Sequence, residues 1–290
     1  MAFLSEKKTK ELELKANDIR QSIVEMLVEA GSGHTAGPLG MADIFTLFYF
    51  HVLRHDPKNP TWEDRDRLVL SNGHICPVLY AAMAHSGYFP IEELKTLRKF
   101  GTRLQGHPHR EYLSYVENSS GPLGEGLSQA VGMALADKMD ARSLGGDNKN
   151  SDRYIYCFLG DGELDEGNNW EAFMFAGKNK LGNLIAVIDR NNIQIDGITE
   201  KIMPLEPLGD KLRSFNWNVI DVYGHDFKVL NEAVEEAQAS YNKPTILIAH
   251  TIPGKGVKKF ERDYKWHGKP PTREEGDEAL KELKEFRPIY

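Results

Sequence analysis

An aspartate at position 161 and an asparagine at position 191 are the residues of this chain best suited to hold a divalent cation. Asp161 stands between Gly160 and Gly162, directly after the apolar run Tyr154-Ile-Tyr-Cys-Phe-Leu159, and Asn191 follows a second run that starts at Leu184. A carboxylate and a carboxamide are hard oxygen donors, which Mg²⁺ takes in combination with phosphate oxygens and water. The two glycines let the backbone turn sharply and come close to a charged ligand. A helix starting after Gly162 would point its free N–H groups at an anion. Together these features describe a site for a metal-bound diphosphate.

Four histidines stand in glycine-containing or loop contexts: His34, His74, His107 and His267. Imidazole can bond phosphate oxygens and can move protons near neutral pH. His51 with His55, and His107 with His109, suggest zinc as a rival, but no cysteine or carboxylate accompanies either pair at the expected spacing.

These residues need a scaffold that brings distant turns together. Short apolar runs starting near positions 67, 153, 184, 219 and 245 have the length of buried strands, and helical patterns separate most of them. The fold class expected is α/β, a doubly wound, mostly parallel sheet with helices on both faces. In such sheets ligands bind at the carboxyl ends of the strands, where Asp161, Asn191 and His74 would all lie. From Lys7 to Ala30, the residues Leu12, Leu14, Ile19, Ile23, Met26 and Leu27 give a helix with one apolar face, stopped by Gly31. The segment Gly31–Gly40 is too rich in Gly and Pro for regular structure, and a helix resumes over Met41–Leu53. Glu92–Phe100 reads as a short amphipathic helix, and Ser119–Gly126 as a turn opening onto a helix over Leu127–Met139. The polar stretch Gly145–Ser151 is read as a loop within one domain spanning residues 1–290, which closes in a short charged tail with an exposed helix.

Composition sets limits. A net charge of -7 without a basic stripe argues against a nucleic-acid partner. No window is apolar enough for long enough to span a bilayer, and the N-terminus lacks the apolar core of a signal peptide, so a cytoplasmic protein is expected. The two cysteines, Cys76 and Cys157, read as buried, reduced small hydrophobes.

Gly160-Asp161-Gly162 with Asn191-Asn192 resembles the thiamine diphosphate signature. Ser32-Gly33-His34 with Pro38-Leu39-Gly40, Ser71-Asn72-Gly73-His74, Gly106-His107-Pro108, Gly121-Pro122-Leu123-Gly124, Ile193-Gln-Ile-Asp196-Gly197 and His267 extend the likeness, in order, to the N-terminal half of the transketolase family. The chain departs from the family at Thr35-Ala36, where Pro-Gly is common.

The resemblance implies thiamine diphosphate and Mg²⁺, or Ca²⁺ or Mn²⁺ in its place, with Asp161, the Asn191 side chain and the Ile193 carbonyl as metal ligands. His74, Gly121, Pro122, Leu123, Gly162, Asn191 and His267 would contact the cofactor, with Leu123 beneath it. His34, His107 and His267 would face the sugar, and Glu166 would lie at a subunit boundary. In the family a middle domain supplies the glutamate that activates the aminopyrimidine. The resemblance therefore implies the N-terminal subunit of a split transketolase, moving a two-carbon ketol unit between sugar phosphates. It would work with a separate C-terminal, pyrimidine-binding subunit, in a heterotetramer. The rivals are a deoxyxylulose phosphate synthase-like or branched-sugar enzyme with the same metal site, and a non-catalytic regulatory subunit.

Overall fold

The computed structural model describes residues 4–143 and 153–288. In chain order the strands are β1 (Arg67–Leu70), β2 (Ile155–Gly160), β3 (Leu184–Arg190), β4 (Ile193–Gln194), β5 (Gly197–Ile198), β6 (Asn218–Tyr223) and β7 (Thr245–His250). The helices are α1 (Glu6–Ala30), α2 (Ala36–Leu47), α3 (Cys76–Ser86), α4 (Glu125–Ser143), α5 (Gly167–Asn179), α6 (Thr199–Ile202), α7 (Leu208–Ser214), α8 (Phe227–Gln238) and α9 (Arg273–Lys284).

Five strands form one parallel sheet in the order β1-β2-β3-β7-β6, and all five are the strands expected from the apolar runs. Successive residues of a strand point to opposite faces, so a strand buried on both sides reads as a continuous apolar run. Tyr156 and Phe158 of β2 pack with α1, α2, α3 and α8, whereas Ile155, Cys157 and Leu159 pack with α4, α5 and α7. After β1 the chain turns into α3 on the first face, and after β2 into α5 on the second. A crevice therefore opens between their carboxyl ends.

Helix α1 is closed by Ser5, whose hydroxyl accepts from the Lys8 N–H at 3.2 Å, and by Gly31 in the left-handed conformation at φ 60°. Its buried stripe is the expected one except for Leu14, which is exposed because it lies off the face formed by Leu12, Ile19, Ile23 and Met26. The expected irregular segment ends earlier than its glycines suggest, since α2 begins at Ala36. Pro38 lies in the first turn, where a missing N–H costs nothing. Gly37 and Gly40 serve close packing: a Cβ would stand 2.8 Å from the Ile75 side chain at one and 3.0 Å from the Ile252 carbonyl at the other. Beyond Leu47 the helix widens into a π-turn over Phe48–Val52.

Glu92–Phe100 is not an α-helix; a 3-10 turn covers Ile91–Thr96, buries Leu94 and ends before Arg98, which has φ 60°. The hairpin β4-β5 and the short helices α6 and α7 have no counterpart in the sequence reading. The helix of the charged C-terminal segment forms with a Thr272–Glu275 capping box, but it is not wholly exposed. Gly276, Ala279 and Leu283 are buried, Gly276 fits against Val28 of α1, and the Asn17 amide donates to the Leu283 carbonyl at 3.0 Å. The polar stretch Gly145–Ser151 lies outside the described residues. Among the described residues no helix is long and apolar enough to cross a membrane.

Candidate functional site

Asp161 leaves the end of β2 and is buried. Its Oδ1 accepts from the Gly162 N–H at 2.8 Å, while Oδ2 accepts from Asn192 N at 2.7 Å, Arg190 Nη1 at 3.0 Å and the Thr199 hydroxyl at 3.3 Å. Asn192 reaches it by turning into the left-handed region at φ 64°, which asparagine tolerates better than most side chains. Oδ1, with a single donor, keeps acceptor capacity for a cation. Burial pushes the Asp161 carboxyl up to about 6 despite the neighbouring Arg190. A bound cation would hold it ionised.

Asn191 follows the adjacent strand. Its Nδ2 donates to Asp189 Oδ2 at 2.7 Å, and its Oδ1 accepts from the Ile193 N–H at 3.0 Å. Asp189 is in turn bonded by the Thr251 hydroxyl, so the carbonyl side of the Asn191 amide is fixed for a cation. Arg190, which precedes Asn191 in the chain, is buried. Besides Asp161 it binds Glu200 Oε1 at 2.6 Å and Glu206 Oε1 at 2.9 Å, tying the cation turn to the segment that carries α6.

A third turn is held by Glu163. This buried carboxylate accepts from the Ser71 hydroxyl, from Gly124 N at 2.8 Å and from Gly160 N at 3.0 Å, which joins the ends of β1 and β2 to the Gly121–Gly124 turn. Gly124, at φ 83°, must be glycine for a second reason, because a Cβ there would come within 2.7 Å of the Glu166 Cβ.

His34, His74 and His267 form a triangle with ring centroids 4.9, 5.1 and 5.6 Å apart. The elbow carrying His34 is held to the segment after His267 by the Thr35 hydroxyl, which donates to the Lys269 carbonyl at 2.6 Å. His107 stands apart and packs on Gly121, its ring 3.7 Å from where a Cβ of that glycine would lie.

His34, His74, His107, Gly121, Leu123, Asp161, Gly162, Asn191, Ile193 and His267 all line one cavity of about 350 Å³. Pro122, though part of the same turn, is not among its lining residues, and neither is Glu166. Glu166 is exposed at the start of α5, where its side chain makes no capping bond. The cavity also takes in Gly160, and Asn72, Glu163, Asp189, Gln194 and Ile195, which the sequence reading left without roles. Glu163 and Asp189 had a visible signal, being charged residues next to apolar runs.

The residues fit a cation-bound diphosphate. Asp161 and Asn191 keep acceptor capacity on adjacent strand ends, and Gly162 packs so closely on Gln194 that an added Cβ would lie 2.9 Å from the Gln194 Cβ. The cavity lining also carries buried polar atoms without partners, His34 Nδ1 and both amide atoms of Asn72. Among the described residues no three His, Cys, Asp or Glu side chains converge as a metal cluster. A site with one protein carboxylate, completed by phosphate oxygens, would contain no such cluster. His55 of the rival zinc pair is engaged elsewhere, its ring nitrogens 2.9 Å from the Tyr88 hydroxyl and 2.9 Å from the Tyr49 carbonyl oxygen. Both cysteines are buried and free, and burial pushes the Cys76 thiol up to about 12.

Burial, reinforced by His267, Arg98 and His107, lowers His34 to about 4. The ring is therefore neutral at pH 7. Because the folded value lies below the unfolded one, this preference contributes stability above about 6.5. That contribution is lost as pH falls from 6.5 toward 4. Imidazole NMR should show His34 charging near pH 4, and the melting temperature of His34→Gln should fall less steeply than that of the wild type over this window. A His34 titration near 6.5 would contradict the buried geometry.

The fold and this cavity define an α/β domain of the thiamine diphosphate-binding kind. Residues 12–288 match the family described as transketolase, thiamine diphosphate binding domain. The chain belongs to the transketolase family, as its N-terminal, cofactor-binding part. It is 44% identical to the 6-deoxy-6-sulfo-D-fructose transketolase subunit of Clostridium sp. (strain MSTE9), over 94% of this chain and 96% of that one. It is 39% identical to an apulose-4-phosphate transketolase subunit of Phocaeicola vulgatus, over 94% of each. The crystal structure of transketolase from Campylobacter jejuni superposes with a TM-score of 0.87 at 39% identity, covering 94% of this chain. The chain spans 42% of the length of that transketolase chain, and nearly the whole of the two subunits.

Proposed function

We propose that the chain is the thiamine diphosphate-binding subunit of a two-chain transketolase. Together with a separate pyrimidine-binding subunit, in a heterotetramer, it transfers a two-carbon ketol unit between sugar phosphates in the cytoplasm, as in the pentose phosphate pathway. The observation that carries this reading is the meeting of ten expected site residues, from turns far apart in sequence, around one cavity. We read residues 1–290 as one domain.

Bound thiamine diphosphate supplies a thiazolium carbon that serves as carbanion equivalent and electron sink. Asp161, Asn191 and the Ile193 carbonyl hold Mg²⁺ against the diphosphate. His74 and His267 bond the cofactor, with Gly162 and the Gly121–Leu123 turn in backbone or apolar contact. His34, His107 and His267 orient substrate hydroxyls and, being neutral near pH 7, can accept or pass on protons. Leu123 and Ile195 are 37% and 62% exposed at the cavity, and Ile198, Ile202 and Met203 are exposed on the adjoining segment. Such an apolar rim suits coverage by a partner chain. Glu166, exposed near it, would lie at that boundary.

Treating the two-chain complex with EDTA and desalting it should remove thiamine diphosphate, and Mg²⁺, Ca²⁺ or Mn²⁺ should restore its retention. Cofactor content after desalting is the measurement; retention unaffected by chelation rejects the cation anchor.

A further inference from the structure

We propose that Asn72 is a phosphate-binding residue, its amide donating to an oxygen of the anionic group held at the Asp161 turn. The inference rests on the cofactor reading above and adds a contact that the signature residues do not include.

Asn72 is 1% exposed, lines the cavity, and has no hydrogen-bond partner on either Nδ2 or Oδ1. Buried amides are rarely left in this state. The side chain cannot easily swing away to find partners, because the backbone is fixed on both sides. Ser71 is held by Glu163 through its hydroxyl, which also accepts from the Gly126 N–H at 3.1 Å. Gly73 packs so tightly on Ser120 that a Cβ would lie 2.3 Å from the Ser120 hydroxyl oxygen. The Asn72 carbonyl is engaged by Ile75 N at 3.0 Å.

What the amide faces follows from its neighbours. Asn72 Nδ2 is 3.7 Å from the position a Cβ of Gly160 would take, so it adjoins the Gly160-Asp161-Gly162 turn. A ligand anchored there through a cation on Asp161 presents phosphate oxygens within that part of the cavity. The amide's N–H groups are then uncharged donors to a multiply charged acceptor. An unsatisfied amide held in readiness destabilises the empty protein and is satisfied on binding, the trade-off expected of a ligand contact and not of a structural one.

The test is calorimetric titration of the two-chain complex at saturating Mg²⁺ with thiamine diphosphate and, separately, inorganic pyrophosphate, together with the melting temperature of the cofactor-free complex. Asn72→Ala should weaken both ligands by a similar factor, on the order of tenfold for a lost charge-assisted bond. It should leave the cofactor-free melting temperature unchanged or raised. Asn72→Asp, which replaces the donor by a like charge, should weaken both further. Wild-type affinity in both variants overturns the proposal, as does a loss confined to thiamine diphosphate, or a lower cofactor-free melting temperature with unchanged affinities. If the wild-type complex itself does not bind thiamine diphosphate, the cofactor reading falls, and this proposal with it.

Discussion

Asp161→Ala should abolish Mg²⁺-dependent retention of thiamine diphosphate by the two-chain complex, raising its dissociation constant at least ~100-fold, which is about 2.8 kcal/mol at ~1.4 kcal/mol per tenfold. The size of the effect follows from the donor set. Asp161 supplies the one carboxylate assigned to the cation, and the remaining ligands, an amide oxygen and a backbone carbonyl, are neutral. Truncation also removes the partner of Arg190 Nη1, leaving a buried guanidinium held only by Glu200 and Glu206. Loss of one partner of a buried ion pair destabilises by about 3–5 kcal/mol in other proteins, so the alanine variant also tests folding. Asp161→Asn separates the two effects. It keeps one acceptor oxygen, which at the Oδ2 position can still accept from Asn192 and Arg190, while the charge and the acceptor of the Gly162 N–H are lost; it should fold and still fail to retain cofactor. Unchanged affinity in a folded Asp161→Asn complex would refute the metal assignment.

The chain purified by itself should show no ketol transfer, and activity should appear on mixing with a pyrimidine-binding partner. The polar side chains on the cavity in this chain are imidazoles, amides and the carboxylates of Asp161, Glu163 and Asp189. Those carboxylates are already committed: Asp161 to the cation turn, Glu163 to three donors around the Gly121–Gly124 turn, and Asp189 to Asn191 and Thr251. None is free to activate an aminopyrimidine, the role that the resemblance assigns to a glutamate of another domain. The exposed Leu123 and Ile195 also leave the cavity open on one side, so water would compete for every polar contact in it. Coupled-enzyme assays of the lone chain, the partner and their mixture give the answer. Full activity from the lone chain would end the two-subunit reading.

Much of this arrangement was legible in the residues. The five buried strands announced themselves because a strand covered on both faces must be apolar at every position, and their spacing left room for covering helices. Asp161, Asn191 and His74 were legible because polar residues directly after such runs have one natural location in a parallel sheet, whereas His34, His107 and His267 were singled out by their loop contexts and the family resemblance. The helix at Ala36–Gly40 was not, since glycines required for contact with Ile75 and Ile252 read locally as helix breakers. Nor was the buried face of α9, whose small contact surface of Gly276, Ala279 and Leu283 is submerged in charge.

By itself, then, the order of residues determined the sheet, the strand ends and the side chains carried there, because these depend on patterns within a few turns of chain. Only the tertiary structure decided how those side chains are held: Arg190 clasping Asp161, Asp189 orienting the amide of Asn191, Glu163 joining three separate turns, and Asn72 left without a partner. Those contacts join residues from different strand ends, and which atoms meet is settled by strand order and register. No local period in the sequence encodes either.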